Sequence, residues 1–228
     1  MLDLATPRGR IIDAALRLAA TKAWRDVSLH EIAQAANVTL VELSKEFYGK
    51  LSIMAAFTKL VDEQVLVRAR LVHGAEDSAR DRVFDVIMTR FDVLQPYRAA
   101  LKSILRDGGM APGPDTLGRM MRSQHWMLVA AGIPADGPAG RAREAALLSV
   151  YARTIREWLD DEDPGRAKTM AVLDRRLRSG ERWMQTFEDL HGRFETFGRI
   201  FKRGRRPARE DAKPASAAAP PTAGASPY

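Results

Sequence analysis

The chain has 228 residues, 36 Lys or Arg against 29 Asp or Glu, a formal net charge of +7 and no cysteine. That length suits one or two domains with a sizeable core, and the lack of cysteine excludes disulfides, thiolate metal sites and cysteine nucleophiles. The opening MLDLATPRGR has no apolar signal-peptide core, and no run approaches the roughly 18 apolar residues that span a bilayer, so a cytoplasmic protein, soluble or peripheral, is expected.

Apolar residues recur at spacings of three and four almost throughout, as in Val61, Val65, Leu66 and Ala69. No strand pattern stands out. Pro and Gly punctuate these runs and predict helices over about 7–23, 28–36, 39–46, 50–73, 78–94, 96–107, 114–131, 138–160, 164–178 and 181–203. The expected class is all-α. Residues 207–228, rich in Ala, Pro and Ser, cannot bury enough apolar surface to order themselves.

The most informative stretch is 27–50, VSLHEIAQAANVTLVELSKEFYGK. Ser28 can cap a short helix whose apolar face is Ile32, Ala33 and Ala36. Asn37 stands at a sharp turn and tolerates a left-handed backbone. Thr39 caps a second short helix, and Glu42 three residues on completes a capping box. Helix, tight turn, helix is the unit that DNA-binding proteins set into a major groove.

The segment resembles the N-terminal domain of the TetR family of bacterial regulators. Arg10-Ile11-Ile12-Asp13-Ala14-Ala15 looks like that family's opening helix, and Trp24 with Val27-Ser28-Leu29 looks like the join to its second. Ile32-Ala33, Ala35-Ala36 and Val38-Thr39 match its helix-turn-helix, and Phe47, Lys50 and Ile53-Met54 match its end. The likeness covers about the first 65 residues. Ser44 and Glu46 stand where the family usually has an aromatic and a His or Tyr. The resemblance therefore assigns phosphate contacts to Thr39, Lys45 and Lys50. Direct base contacts are expected from exposed Leu40, Val41 and Lys45, of which Leu40 and Val41 can touch thymine methyls but cannot hydrogen-bond bases. It implies a TetR-like fold: a three-helix DNA-binding domain over 1–48, a helical ligand-binding and dimerisation domain over 49–203, and a basic, then Ala/Pro/Ser-rich tail over 204–228. It further implies a homodimeric transcriptional regulator that binds an operator and answers a small apolar ligand.

Charge is distributed unlike a strong DNA reader. The 39–50 segment holds two Lys and two Glu, and residues 1–50 carry a net of +1. Residues 202–213 carry a net of +4. In the second domain, Arg119, Arg122, His125 and Arg153 either face a cavity or lie on solvated helix faces, the second being the general tendency of charged residues.

A second likeness lies in Trp158-Leu159-Asp160-Asp161-Glu162-Asp163-Pro164 and the following Lys168 to Leu177. This looks like the C-terminal signature of the lipid-binding protein family of coenzyme Q biosynthesis, which shares the TetR-like fold. It implies the alternative function of a non-catalytic accessory to ubiquinone biosynthesis with peripheral membrane contact. On the residues alone, Asp163-Pro164 reads as a helix start, with Trp158, Met170, Leu173 and Leu177 as core. Beyond it, Trp183, Phe187, Leu190, Phe194, Phe197 and Phe201 fall on one helix face, followed by Lys202, Arg203, Arg205 and Arg206. That stripe can dock on the domain or on a second subunit, or lie on an anionic membrane with the basic cluster at the head groups.

Nothing in the sequence supports an enzyme, a metal or a cofactor. The four His are isolated, and no Walker loop, GxGxxG or GxSxG occurs. The acidic run 160–163 reads as a solvated turn between helices.

Overall fold

Thr6 and Pro7 start the first helix: the Thr6 side chain accepts from Gly9 N, and proline at the first position forfeits no hydrogen bond. The computed structural model describes residues 2–69, 77–108 and 114–179. They form α1 (Pro7–Thr21), α2 (Leu29–Ala35), α3 (Leu40–Glu46), α4 (Lys50–Ala69), α5 (Ala79–Leu94), α6 (Arg98–Arg106), α7 (Pro114–Ala130) and α8 (Gly137–Asp160), with residues 167–179 helical as α9. No strand occurs among the described residues. Two short 3-10 turns, Trp24–Asp26 and Gln95–Tyr97, were not anticipated in the sequence. The helices near 28, 39, 78 and 138 begin within one residue of expectation, because each start carries its own chemistry.

α1 supplies the centre of the N-terminal head. Ile11, Ile12, Ala14, Ala15, Leu16 and Ala19 are all buried. Their spacing wraps more than one helix face, and the alanines let neighbours approach closely. α2 and α3 pack against α1, and so does α6, which buries Ala100, Leu101 and Ile104. Gly9 is required by close approach: a Cβ there would meet the Asp3 carbonyl oxygen at 1.8 Å. The Leu2–Thr6 segment therefore lies directly against α1.

Three polar contacts tie the head to α6. Trp24 N donates to Ser103 Oγ at 3.0 Å, Ser103 Oγ donates to Lys22 O at 3.0 Å, and Arg25 N donates to Asp107 Oδ2 at 3.0 Å. At its other end α6 is bonded to α8. Arg98 donates to Leu159 O and to Asp161 O, the latter at 2.5 Å, and Lys102 pairs with Asp160 at 2.6 Å. Those free carbonyls at the end of α8 need donors, and Arg98 supplies them.

In the larger helical part α4 packs on α5 and α7, and α7 and α8 form a hairpin. Phe91 lies between Tyr151 and Trp158, with ring centroids 5.8 and 5.2 Å away and planes within 15° of parallel. Offset stacks of this kind add modestly to the burial of large apolar area.

The acidic stretch after α8 corrects one expected boundary. α9 begins at residue 167 rather than 164. Pro164 and Gly165 form a turn, and Arg166 takes a φ of 55° before the helix. Asp163 bridges that turn, accepting from Gly165 N at 3.0 Å and Ala167 N at 3.1 Å. Asp161 is buried and accepts from Thr169 Oγ1 at 2.7 Å and Thr169 N at 2.9 Å. These bonds hold its carboxyl below the usual range. Trp158 and Leu173 are core as expected and Leu177 is half-buried, but Met170 is exposed. Arg119, Arg122 and Arg153 are exposed, while His125 is half-buried and bonded to buried Glu144 at 2.9 Å. The three arginines are on solvated faces.

Candidate nucleic-acid interface

The turn between α2 and α3 is built from local chemistry. Asn37 takes a φ of 52°, the left-handed value its side chain tolerates. Val38 N returns to Ala33 O at 3.0 Å, closing the end of α2. α3 then starts with a reciprocal capping box. Glu42 N donates to Thr39 Oγ1 at 3.1 Å, and the Glu42 carboxylate accepts from Thr39 N at 2.7 Å and Thr39 Oγ1 at 2.9 Å. Those bonds hold the Glu42 carboxyl below its ordinary value. α2 carries the same device, Ser28 with Glu31, although Glu31 was not read from the sequence as part of a box. Glu31 is held down to about 2 by Lys22, 2.5 Å away, and by Ser28.

Arginines of α1 brace the motif from behind. Arg10 Nε donates to Ala36 O at 3.3 Å, and Arg17 Nη2 donates to Ala35 O at 3.3 Å. Both serve carbonyls left unpaired at the end of α2. Phe47, Ile32, Ala36 and Leu43 are all buried in the shared core.

α3 turns one face outward. Leu40 is 49% exposed and Val41 63% exposed; Thr39, Ser44 and Lys45 are exposed as well. Ser44 Oγ donates to Val41 O at 2.8 Å. Lys45 makes no hydrogen bond or ion pair among the described residues. The Thr39 hydroxyl already has a donor and an acceptor in Glu42, so a new partner at Thr39 must compete with the capping box.

Two residues at this surface were missed in the sequence. Tyr48 is fully exposed beside the end of α3. A large aromatic in a tight turn between buried Phe47 and Gly49 is the signal that could have found it. Arg8 comes from α1: its Nη1 donates to Glu46 Oε2 at 3.3 Å, and its guanidinium lies 4.7 Å from the Phe47 ring centroid. No local pattern reveals that pairing across 38 residues.

Lys50, expected at a phosphate, is engaged within the head. Its ammonium donates to Trp24 O at 2.7 Å and Val27 O at 2.8 Å, and sits 4.8 Å from the Trp24 ring centroid. A cation at the first residue of a helix opposes the helix dipole. The carbonyls and ring of the Trp24–Val27 turn compensate for that and hold Lys50 to the turn, so it is not a free cation here. Trp183, Phe187, Phe194, Phe201, Arg203, Arg205 and Arg206, expected as a membrane or partner surface, lie outside the described residues. No helix among the described residues is long and apolar enough to cross a membrane, and none of their carboxylates and histidines group as a metal site.

A three-helix head with a capped helix-turn-helix, continued by α4 into a larger helical part, defines an all-α, TetR-like fold. No family model and no curated protein matches the chain. Among solved structures, it is similar to a TetR transcriptional regulator from Nitrosomonas europaea ATCC 19718. The identity is 25%, with 76% of this chain and 97% of that chain covered and a TM-score of 0.61. It is also similar to a TetR transcriptional regulator from Rhodococcus sp. RHA1, with 21% identity, coverages of 76% and 95%, and a TM-score of 0.59. A tetR-family transcriptional regulator from Streptomyces coelicolor follows at 18% identity, coverages of 84% and 97%, and a TM-score of 0.51. The last two likenesses speak to fold alone. None of these three structures is described as a lipid-binding protein of coenzyme Q biosynthesis; in this chain the Trp158–Leu177 stretch joins α6, α8 and α9.

Proposed function

We propose that the chain is a TetR-type transcriptional regulator that binds operator DNA through residues 1–48. The observation that carries this reading is the outward face of α3, with Leu40, Val41 and Lys45 exposed on a helix whose opposite side, through Leu43, is locked into the core. A helix presented in this way fits a major groove. Thr39, Leu40, Val41, Ser44, Lys45 and Tyr48 form the reading edge, with Arg8 beside it. Lys50 serves the head's own structure. Apolar contacts dominate that edge, so base readout is thin and phosphate contacts supply most of the affinity.

The regulator acts as a homodimer, which sets two reading edges on half-sites one helical turn or a multiple apart. Residues 49–203 hold the dimer surface and a ligand site. α6 suits transmission between them, being bonded to the head at Ser103 and Asp107 and to α8 through Arg98 and Lys102. The test is selection of bound fragments from a genomic library, followed by anisotropy titration at several salt concentrations. Lys45→Ala weakens binding on every fragment and lowers the salt slope by about one unit. A chain that enriches no fragment, or whose affinity ignores Lys45, is not acting through this face.

A further inference from the structure

The reading head is short of free cations. Residues 1–50 hold seven Lys or Arg against six Asp or Glu. Six of those seven cations are engaged within the chain. Arg8 pairs with Glu46, Arg17 with Asp13 and Lys22 with Glu31. Arg10 donates to Ala36 O and Ala5 O, and Lys50 to Trp24 O and Val27 O. Arg25 lies 3.9 Å from both Asp26 and Asp107. Only Lys45 is exposed and makes no hydrogen bond or ion pair among the described residues. DNA presents one negative charge about every 1.7 Å, and affinity for its backbone comes from neutralising several phosphates at once. A paired cation that turns to phosphate abandons its present partner, which cancels part of the gain.

The chain carries its surplus of cations elsewhere. Lys202, Arg203, Arg205, Arg206, Arg209 and Lys213 stand against Glu210 and Asp211, a net of +4 out of the +7 of the whole chain. These residues lie outside the described ones, and what bears here is their composition. The aromatic stripe ends at Phe201, and from 202 to 213 the apolar residues are only Pro207, Ala208 and Ala212, with Gly204. Such a run has charge to offer and no large side chain to insert, the character of a basic arm on nucleic acid. Chain length allows it to reach beyond its own domain. Twenty-two residues separate Ser179 from Lys202, which span about 33 Å as a helix, the diameter of a small domain, and about 75 Å fully extended.

We propose that residues 202–213 are a second DNA-contacting segment, which engages phosphates by charge and supplies most of the salt-dependent affinity, while α3 supplies the choice of sequence. The inference rests on the reading of the chain as a DNA-binding regulator and names where its phosphate contacts come from. It divides the two tasks of a DNA-binding protein between the two ends of the chain. Phosphate contacts carry no sequence information, so they need no fixed register with α3. An arm that binds backbone anywhere raises affinity for every sequence equally and leaves discrimination to Leu40, Val41 and Lys45.

The test is anisotropy titration of the full chain on a mixed-sequence DNA duplex across a salt series. Arg203→Gln, Arg205→Gln, Arg206→Gln and Arg209→Gln combined in one chain should lower the slope of log affinity against log salt by about 3–4 units, and weaken binding by about 100-fold or more near 0.1 M salt. The same four positions changed to Lys keep the charge and should keep the slope. A Gln variant with the native slope overturns the proposal. So does a Lys variant that loses as much as the Gln variant, because charge is then not what acts. Loss of binding to phosphatidylglycerol vesicles by the Gln variant, with its DNA slope unchanged, assigns the run to lipid and overturns the proposal as well. Should the Gln variant melt early, the native chain decides: a slope of about 4 or steeper is expected, and a slope near one, the share of Lys45 alone, overturns the proposal. A chain whose slope falls with the Gln variant but which selects no genomic fragment sinks the regulator reading and leaves the phosphate contact. A chain that selects a fragment and keeps its slope in the Gln variant sinks the contact alone.

Discussion

The guanidinium of Arg8 reaches from α1 to Glu46 at the end of α3, 3.3 Å from its carboxylate, and covers the ring of Phe47. Both partners are substantially solvent-accessible, so the pair adds little to stability. Its effect is on charge. Glu46 would otherwise present an unpaired negative charge beside Lys45, and Arg8 cancels it at the cost of its own availability to phosphate.

That arrangement predicts opposite effects of two substitutions. Glu46→Gln releases Arg8 and removes a negative charge, so DNA affinity rises and the salt slope steepens by about one unit. Arg8→Ala leaves Glu46 unpaired, and affinity falls on all sequences alike. The double variant should lie near the native chain. Anisotropy titrations across a salt series check this; a Glu46→Gln protein with unchanged affinity would place residue 46 away from the DNA.

Phe47 closes the head. It is 3% exposed and shares its core with Ile32, Ala36 and Leu43. Phe47→Ala should cost about 3–5 kcal/mol, the usual range for emptying a packed Phe site. Thermal or urea unfolding followed by circular dichroism measures it. An unchanged melting temperature is incompatible with the packing described.

Lys45 and Lys50 look equivalent in sequence and should separate cleanly by experiment. Lys50→Met loses two short bonds to carbonyls and should destabilise the head by about 1.5–3 kcal/mol, the range for bonds to a charged group. Lys45→Met should leave the unfolding free energy within about 0.5 kcal/mol of native, as surface changes usually do, and weaken DNA binding. If Lys50→Met melts like the native chain and loses only DNA affinity, the assignment of Lys50 to the Trp24–Val27 turn fails.

Acid should unlock the start of α2 at a defined point. Glu31 titrates near 4.5 when free and is held down to about 2 by Lys22 and Ser28 in the folded head. A depressed carboxylate stabilises the fold above its free value, and that contribution is lost as pH falls from about 4.5 toward about 2. Glu31→Gln should therefore flatten the pH dependence of stability in that window and leave it unaltered above. Melting temperatures of both proteins from pH 7 downward check this. Parallel curves through the acid range would show that Glu31 is not held as described.

Sequence patterning determined the helical class, most helix starts and the outline of the reading head, because those features depend on neighbours within a few residues. Thr39 with Glu42, Asn37 at the turn and the spacing of Ile32, Ala33 and Ala36 are short-range chemistry, and the structure keeps all of them. The exposure of Leu40, Val41 and Lys45 follows from the same periodicity. The partners of the charged side chains were decided only by tertiary structure. Arg8 finds Glu46, Lys50 folds onto Trp24 and Val27, and Arg90 meets Asp62 across separations of 23 to 38 residues. A long flexible cation can satisfy itself with any acceptor the fold brings near, and its own sequence neighbourhood does not say which. The late start of α9 has the same origin: Asp161 and Asp163 could cap a helix at 164, but the bonds of Asp161 to Thr169 and of Arg98 to the α8 carbonyls favour a turn first.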